Sequence, residues 1–171
     1  MSISPCIDLG RLTPKGTLFE GSFRPGDLEN LAGELASPDG ELRYRVRAGL
    51  EGVEGARRGV VSCIIEGFVF LTCQSSFEAF RHEVRIDDRL VLVGSEAELP
   101  PIEEESDGED FVVADPPIEV RALVEEAVML SLPMVPRKPG AEPDARAQRE
   151  GSGKPGPFEA LARLRQKNAK Q

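Results

Sequence analysis

Apolar and polar residues alternate through the middle of the chain, with the period of two that is typical of a strand buried on one face. In residues 41–47 the apolar positions are separated by three arginines, Arg43, Arg45 and Arg47. Residues 80–93 alternate in the same way, and the stretch from Val60 to Cys73 is rich in Val, Ile and Phe. With a short strand predicted at 16–23, these patterns favour an antiparallel meander that has one wet side.

Two other stretches have the 3.6-residue period of a helix. The first covers 25–35 and is followed by a turn signal, Ser-Pro-Asp-Gly, at 37–40. The second runs from Pro117 to Leu132 and ends at Pro133, because proline disfavours the α conformation of the residue before it. This longer helix is predicted to cover the sheet with an apolar stripe made of Val120, Leu123, Val124, Ala127, Val128 and Leu130.

The C-terminal part of the chain has a different composition. Residues 136–156 are mostly Pro, Gly and charged residues, with little to bury, which predicts a disordered linker. Pro157 then opens a short basic amphipathic helix. The predicted fold is α+β, a mainly antiparallel meander or partial barrel with a covering helix. Its predicted parts are a single domain at 1–135 with an acidic flexible loop at about 94–116, the linker at 136–156, and a detached helix at 157–171.

Charge is divided unevenly along the chain, whose formal net charge is −9. Residues 137–171 carry nine lysines and arginines against four carboxylates, while residues 1–136 have a net charge of −14. A body of that charge repels phosphate, so the basic tail is the segment best suited to RNA. Eight carboxylates lie between Glu96 and Asp110. They predict either a solvated loop or a surface for a basic protein, such as a ribosomal protein.

The sequence also bears on the cellular compartment. It contains no apolar stretch approaching the length of about 18 residues that a membrane span needs, and its N-terminus lacks the pattern of a secretory signal. Three cysteines, Cys6, Cys63 and Cys73, are too few for a disulfide framework and indicate reduced thiols. We therefore expect a cytoplasmic protein that does not act in a membrane.

Candidate catalytic residues are sparse. The segment Gly151–Lys154 lacks the spacing of a phosphate-binding loop. His82 is the only histidine and could pair with Cys73 across a hairpin, but no third group that would orient it is evident. We predict no catalytic residue, no metal ligands and no cofactor. Two alternatives remain open: an RNA-processing nuclease that uses carboxylates and a divalent cation, and a redox adaptor that uses Cys63 and Cys73.

Three segments taken together resemble a known family. Residues 73–80 close the long strand, residues 120–136 form a helix that ends in Leu-Pro-Met-Val-Pro, and residues 154–164 contain Pro-Phe-Glu-Ala-Leu-Ala-Arg-Leu. Their order and spacing resemble the YceD family, the bacterial large ribosomal RNA subunit accumulation proteins, over roughly residues 57–171. The positions that carry the resemblance are Cys73, Gln74, Phe80, Leu132, Pro133, Pro136, Pro157 and Phe158.

The resemblance implies a non-enzymatic factor that supports 23S ribosomal RNA accumulation and large-subunit assembly. Its partner would be a ribosomal RNA precursor or a basic ribosomal or assembly protein. The tail helix would either bind that partner or dock back on the body. Its candidate partner-binding residues are Phe158, Leu161, Arg163, Leu164, Arg165 and Lys167.

The chain departs from the family pattern at several cysteine and histidine positions. Relatives usually have a second cysteine three residues after the first, where this chain has Ser76, and commonly a His and a Cys soon after the Leu-Pro-x-x-Pro segment. Residues 137–143 contain neither. Because a structural zinc ion needs about four thiolate or imidazole ligands, the sequence predicts that this protein binds no zinc.

Overall fold

The computed structural model describes residues 5–53, 55–101 and 110–140. The predicted C-terminal helix and most of the predicted linker lie outside these ranges. Within them the strands are β1 (Cys6–Ile7), β2 (Thr17–Phe23), β3 (Ser37–Glu51), β4 (Arg58–Thr72), β5 (Ala79–Val93), β6 (Asp110–Val113) and β7 (Ile118–Glu119). The α-helices are α1 (Glu29–Ala32) and α2 (Val120–Ser131).

Five strands form an open mixed sheet in the order β2-β3-β4-β5-β6. The first four pair antiparallel as a meander, while β6 pairs parallel with β5. β1 and β7 form a separate antiparallel pair. The α+β prediction is confirmed, with the sheet remaining open rather than closing into a barrel.

The sheet is buried mainly on one face, as the alternating pattern predicts, although Val60 and Val91 are also buried on the opposite face. In β4 the residues at odd positions are buried except for the half-buried Gly67, and Cys63 and Cys73, which follows the strand, both belong to the core. In β3 the inner face holds Leu42 and Val46, and the arginines between them are exposed on the outer face. The inner face carries the hydrophobic core, and most of the outer face is left to solvent.

The helices cover the inner face. Leu28 and Leu31 from the α1 region are fully buried, as are Val120, Val124 and Val128 of α2. The two helices are joined through the buried carboxylate of Glu125. Its Oε1 atom accepts hydrogen bonds from the backbone N–H groups of Asn30, at 2.6 Å, and Leu31, at 3.1 Å. One acidic side chain thus fixes the position of α2 against α1.

A predicted turn at residues 37–40 is wrong, because these residues belong to β3. They form an irregularity in its pairing with β4, where Ser37 lies opposite Phe70 but Glu41 lies opposite Phe68. The sequence suggested Gly67 as a possible bulge, yet β4 pairs without interruption through that residue. A Cβ atom at Gly67 would lie only 1.9 Å from the carbonyl oxygen of Glu41, so the close approach of β3 requires glycine there.

Three further expectations need correction. The first helix is much shorter than predicted, since a 3₁₀ turn at Pro25–Asp27 precedes α1 and α1 ends at Ala32. The acidic loop is interrupted by β6, a short apolar strand that gains parallel pairing with β5. Leu130, placed by its spacing on the buried stripe of α2, is 81% exposed, whereas Glu125, placed on the opposite face, is buried. None of the helices within the described ranges is long and apolar enough to cross a bilayer.

The hydrogen bonds of Glu125 generate a stability prediction. We expect Glu125→Ala to lower the free energy of unfolding by about 2–4 kcal/mol, because it leaves two backbone donors without their acceptor. Glu125→Gln should recover most of the loss, since an amide oxygen also accepts. The matched control is Glu126→Ala, on the exposed side of the same helix turn, which should change stability by about 0.5 kcal/mol or less. Urea unfolding monitored by circular dichroism measures all three, and equal losses in the two alanine variants would contradict the assignment.

Candidate functional site

The turn between β4 and β5 contains Cys73, the first residue of the family-like motif. The Cys73 N–H group donates to the carbonyl oxygen of Glu78 at 2.9 Å, and the Phe77 N–H group donates to the carbonyl of Cys73 at 2.8 Å. Phe77 has a left-handed backbone conformation, with φ of 57°, and its side chain is 80% exposed. The turn is therefore closed by its own backbone and presents an aromatic ring outward.

The segment that follows α2 packs against this turn. The Gln74 N–H group donates to the carbonyl oxygen of Pro136 at 2.9 Å, and the Lys138 N–H group donates to Cys73 Sγ at 3.4 Å. An exposed ion pair of 3.3 Å joins Lys138 Nζ to Glu78. Two motifs that are about sixty residues apart in the chain thus meet at one corner of the molecule, which we call the motif corner (residues 73–78 and 132–138).

Hydrogen-bond donors surround the Cys73 thiol. Besides the Lys138 amide, the Ser75 hydroxyl lies 3.2 Å from Sγ. The Lys138 amide, followed by Ser75 and Ser76, lowers the pKa of the Cys73 thiol to about 6. Burial, with a smaller effect from Asp88, instead raises the pKa of Cys63 to about 11. Cys73 thus meets one requirement for a reactive thiol, a low pKa, but its side chain has no accessible surface.

The Cys73–His82 pair that the sequence analysis considered does not form. His82 lies opposite Val69 in the sheet, whereas Cys73 lies beyond the last paired residues of the two strands. The hydrogen bonds of Cys73 Sγ go to Ser75 and Lys138 instead. The geometry gives this thiol no imidazole base.

Apolar side chains are exposed at the end of α2 and in the second segment of the motif corner. Met134 is fully exposed, Leu130 is 81% exposed, and Met129 and Val135 are also exposed. We call these four residues the apolar ridge. They adjoin a depression of about 320 Å³, whose walls include Glu34, Leu71, Gln74, Leu132, Pro133 and Pro136. Clustered exposed apolar side chains are typical of an interaction surface.

Comparison with known proteins gives one family match. The model described as large ribosomal RNA subunit accumulation protein YceD matches residues 61–165, which is more than half of the chain. The chain belongs to the YceD family. Comparisons with curated proteins and with solved structures give no match. The family assignment connects the chain to the accumulation of large-subunit ribosomal RNA.

The YceD motif positions fall into two groups in this structure. Most of them lie at or near the motif corner, where Phe80 is buried at the start of β5. The C-terminal positions Pro157 and Phe158 lie outside the described residues, as do the other tail residues proposed to bind a partner. Sequence reasoning missed Lys138 and Glu78, which join the two halves of the corner. The sequence offered one signal for them: Glu78 is an acidic residue inside the 73–80 segment, and Lys138 is a basic residue shortly after Pro136.

The donor set at the motif corner does not fit zinc. Cys73 is the only thiol in the corner, position 76 is serine, and the contacts of Sγ are an amide and a hydroxyl. Within the described residues, no group of three or more His, Cys, Asp or Glu side chains is placed to hold a metal ion. Hydrogen bonds here occupy the position that metal coordination would need.

We therefore predict that the protein purified without added metal contains no stoichiometric zinc. Elemental analysis by plasma mass spectrometry measures this directly, with a known zinc protein purified alongside as the control. One zinc ion per chain would contradict the prediction.

The hydrogen bonds of Cys73 also predict a pH dependence of stability. Because the folded pKa is about 6 and that of an unfolded thiol is about 8.5, the unfolded state binds more protons between these values. The contribution of Cys73 is thus fully present above about pH 8.5 and is lost as the pH falls through about 6. Urea unfolding under reducing conditions should show a difference between wild type and Cys73→Ala that shrinks on acidification.

The matched control is Cys63→Ala. Its raised pKa leaves that thiol protonated in both folded and unfolded states below about pH 8, so its effect on stability should stay constant there. A constant difference for Cys73→Ala across the same range would show that its thiol is not stabilised as a thiolate.

Proposed function

We propose that this YceD-family protein is a non-enzymatic factor of large-subunit biogenesis. It supports 23S ribosomal RNA accumulation by binding a ribosomal RNA precursor or a basic ribosomal or assembly protein. The observation that carries the proposal is that family-motif residues from two distant segments meet to build an exposed corner flanked by the apolar ridge. Such a surface suits binding to a macromolecule.

The charge distribution supports two modes of contact with a ribosomal precursor. The basic residues of the tail suit the phosphate backbone, while the acidic body suits a basic protein. The described chain ends at Gly140, directly after the motif corner, so the tail starts from the surface that we propose as the docking point. We propose that Phe158, Leu161 and Leu164 supply the apolar contact of the tail and that its arginines and lysines supply the charge.

The test compares three proteins in cells that lack the chromosomal copy: wild type, the full-length variant Phe158→Ala/Leu161→Ala/Leu164→Ala, and a variant that ends at residue 140. We expect wild type to restore the ratio of mature 23S to 16S ribosomal RNA, and both altered proteins to fail. In gradient sedimentation, wild type should migrate with large-subunit precursors. That association should weaken steeply with added salt.

The truncated variant keeps every described contact of the motif corner, so its loss of activity would be assigned to the tail rather than to unfolding. An unchanged 23S to 16S ratio in cells without the protein would overturn the proposed role. Cleavage of precursor RNA by the purified protein with Mg²⁺ or Mn²⁺ would instead favour the nuclease alternative.

A further inference from the structure

A shallow depression on the outer face of the sheet has a lining without carboxylates. It has a volume of about 360 Å³ and lies across β2, β3 and β4. Its lining residues are Lys15, Gly16, Leu18, Arg45, Arg47, Ser62 and Ile64. Three cations, one hydroxyl group and two apolar side chains therefore share one concave surface, on a chain whose first 136 residues have a net charge of −14.

The strand register explains why these groups converge. Leu18, Arg47 and Ser62 lie side by side on β2, β3 and β4, and Arg89 on β5 continues the row. With strands about 4.8 Å apart, the row is roughly 15 Å long. Arg47 also donates from its guanidinium to the carbonyl oxygen of Lys15 at 3.3 Å, which brings the segment before β2 to the edge of the depression.

Ion pairs neutralise only some of the cations at and beside this depression. Arg45 is paired with Glu20 at 2.6 Å, and Arg89 with Glu51 at 2.6 Å. Within the described ranges, Lys15 and Arg47 have no carboxylate within ion-pair distance. Both are thus available to an external anion.

We propose that this depression binds the phosphate backbone of RNA, a proposal that rests on the proposed function in large-subunit biogenesis. Arg47 and Lys15 are its phosphate ligands, because a guanidinium fork matches phosphate oxygens and an ammonium group adds a point charge. The Ser62 hydroxyl donates a further hydrogen bond. Exposed Leu18 and Ile64 offer apolar contact to the sugars and bases between phosphates.

RNA is favoured over an acidic protein for two reasons. The depression brings three cations together with no carboxylate in its lining, which suits the closely spaced charges of a phosphate backbone, and the family is associated with ribosomal RNA. Lys15, Arg45 and Arg47 all precede the span 61–165 that matches the family. The family match alone would therefore not identify these cations as an RNA contact.

The same face of the sheet offers a matched control for the proposed phosphate ligands. The neighbouring depression is lined by three carboxylates, Glu20, Glu41 and Glu66, together with Arg43 and Arg45. Across the strands, Glu66 lies between Arg43 and Arg85, and both arginines are exposed. The pair Arg43→Gln/Arg85→Gln therefore removes the same charge, from the same face, as Lys15→Gln/Arg47→Gln, but beside carboxylates that oppose phosphate.

The experiment measures binding of the full chain to a transcript of large-subunit precursor RNA over a range of salt concentrations. We expect Lys15→Gln/Arg47→Gln to weaken binding roughly tenfold or more at about 0.1 M salt, and to make the slope of log affinity against log salt shallower by about 1.4–1.8. Arg43→Gln/Arg85→Gln should change both quantities little. Urea unfolding of each variant verifies that the fold is retained.

A second measurement locates the contact without relying on affinity, to which the basic tail also contributes. A photoreactive residue at Leu18 should crosslink to the transcript, whereas one at Leu99, which is also exposed but follows the carboxylates of Glu96 and Glu98, should not. Equal loss of binding in the two double variants, or no crosslink from position 18, would overturn the proposal.

If wild type sediments with precursor particles but does not bind the transcript, the RNA contact is wrong while the proposed function stands. If ribosomal RNA levels do not depend on the protein, the proposed function itself is wrong.

Discussion

The buried carboxylate of Glu125 is the interaction on which the arrangement of the helices depends. A carboxylate excluded from water must have its oxygens satisfied, and here the partners are two backbone amides at the start of α1 rather than a cation. α1 is only four residues long and has little stability of its own, so this contact and the burial of Leu28 and Leu31 hold it in place. With α2 fixed in this way, the chain leaves it towards the β4–β5 turn, where the motif corner forms.

The concentration of the core on one sheet face has a direct consequence for function. Both helices lie on the inner side, so the long strands expose a wide outer surface whose charge is set residue by residue. The balance of cations and carboxylates differs from one part of that surface to another. Around Glu66 arginines and carboxylates compensate one another, whereas near Ser62 the cations exceed the carboxylates. Net charge describes neither region well, because at physiological ionic strength charges more than about 8 Å apart are largely screened.

Sequence pattern was sufficient for features that depend on local periodicity. The alternation in β3 and β5 identified the strands and the exposed side of each arginine, and the position of Pro133 bounded α2. Features that depend on distant partners were not predictable in this way. The strand β6 is too short to be recognised without its parallel neighbour, and the low pKa of Cys73 depends on an amide 65 residues away. The tail residues, identified from the sequence as partner-binding candidates, lie outside the described chain.

The two surfaces differ in the kind of contact that each can make, and this difference bears on how one small protein could hold a precursor particle. The motif corner and apolar ridge offer contacts that change little with salt, since they depend on burying apolar area. The depression around Arg47 offers contacts that release counterions and therefore weaken as salt rises. Apolar contacts would set how long the protein stays bound, and electrostatic contacts would speed its encounter with RNA. A basic tail that begins next to the apolar ridge lets both act on the same particle, because binding at one site raises the effective concentration at the other.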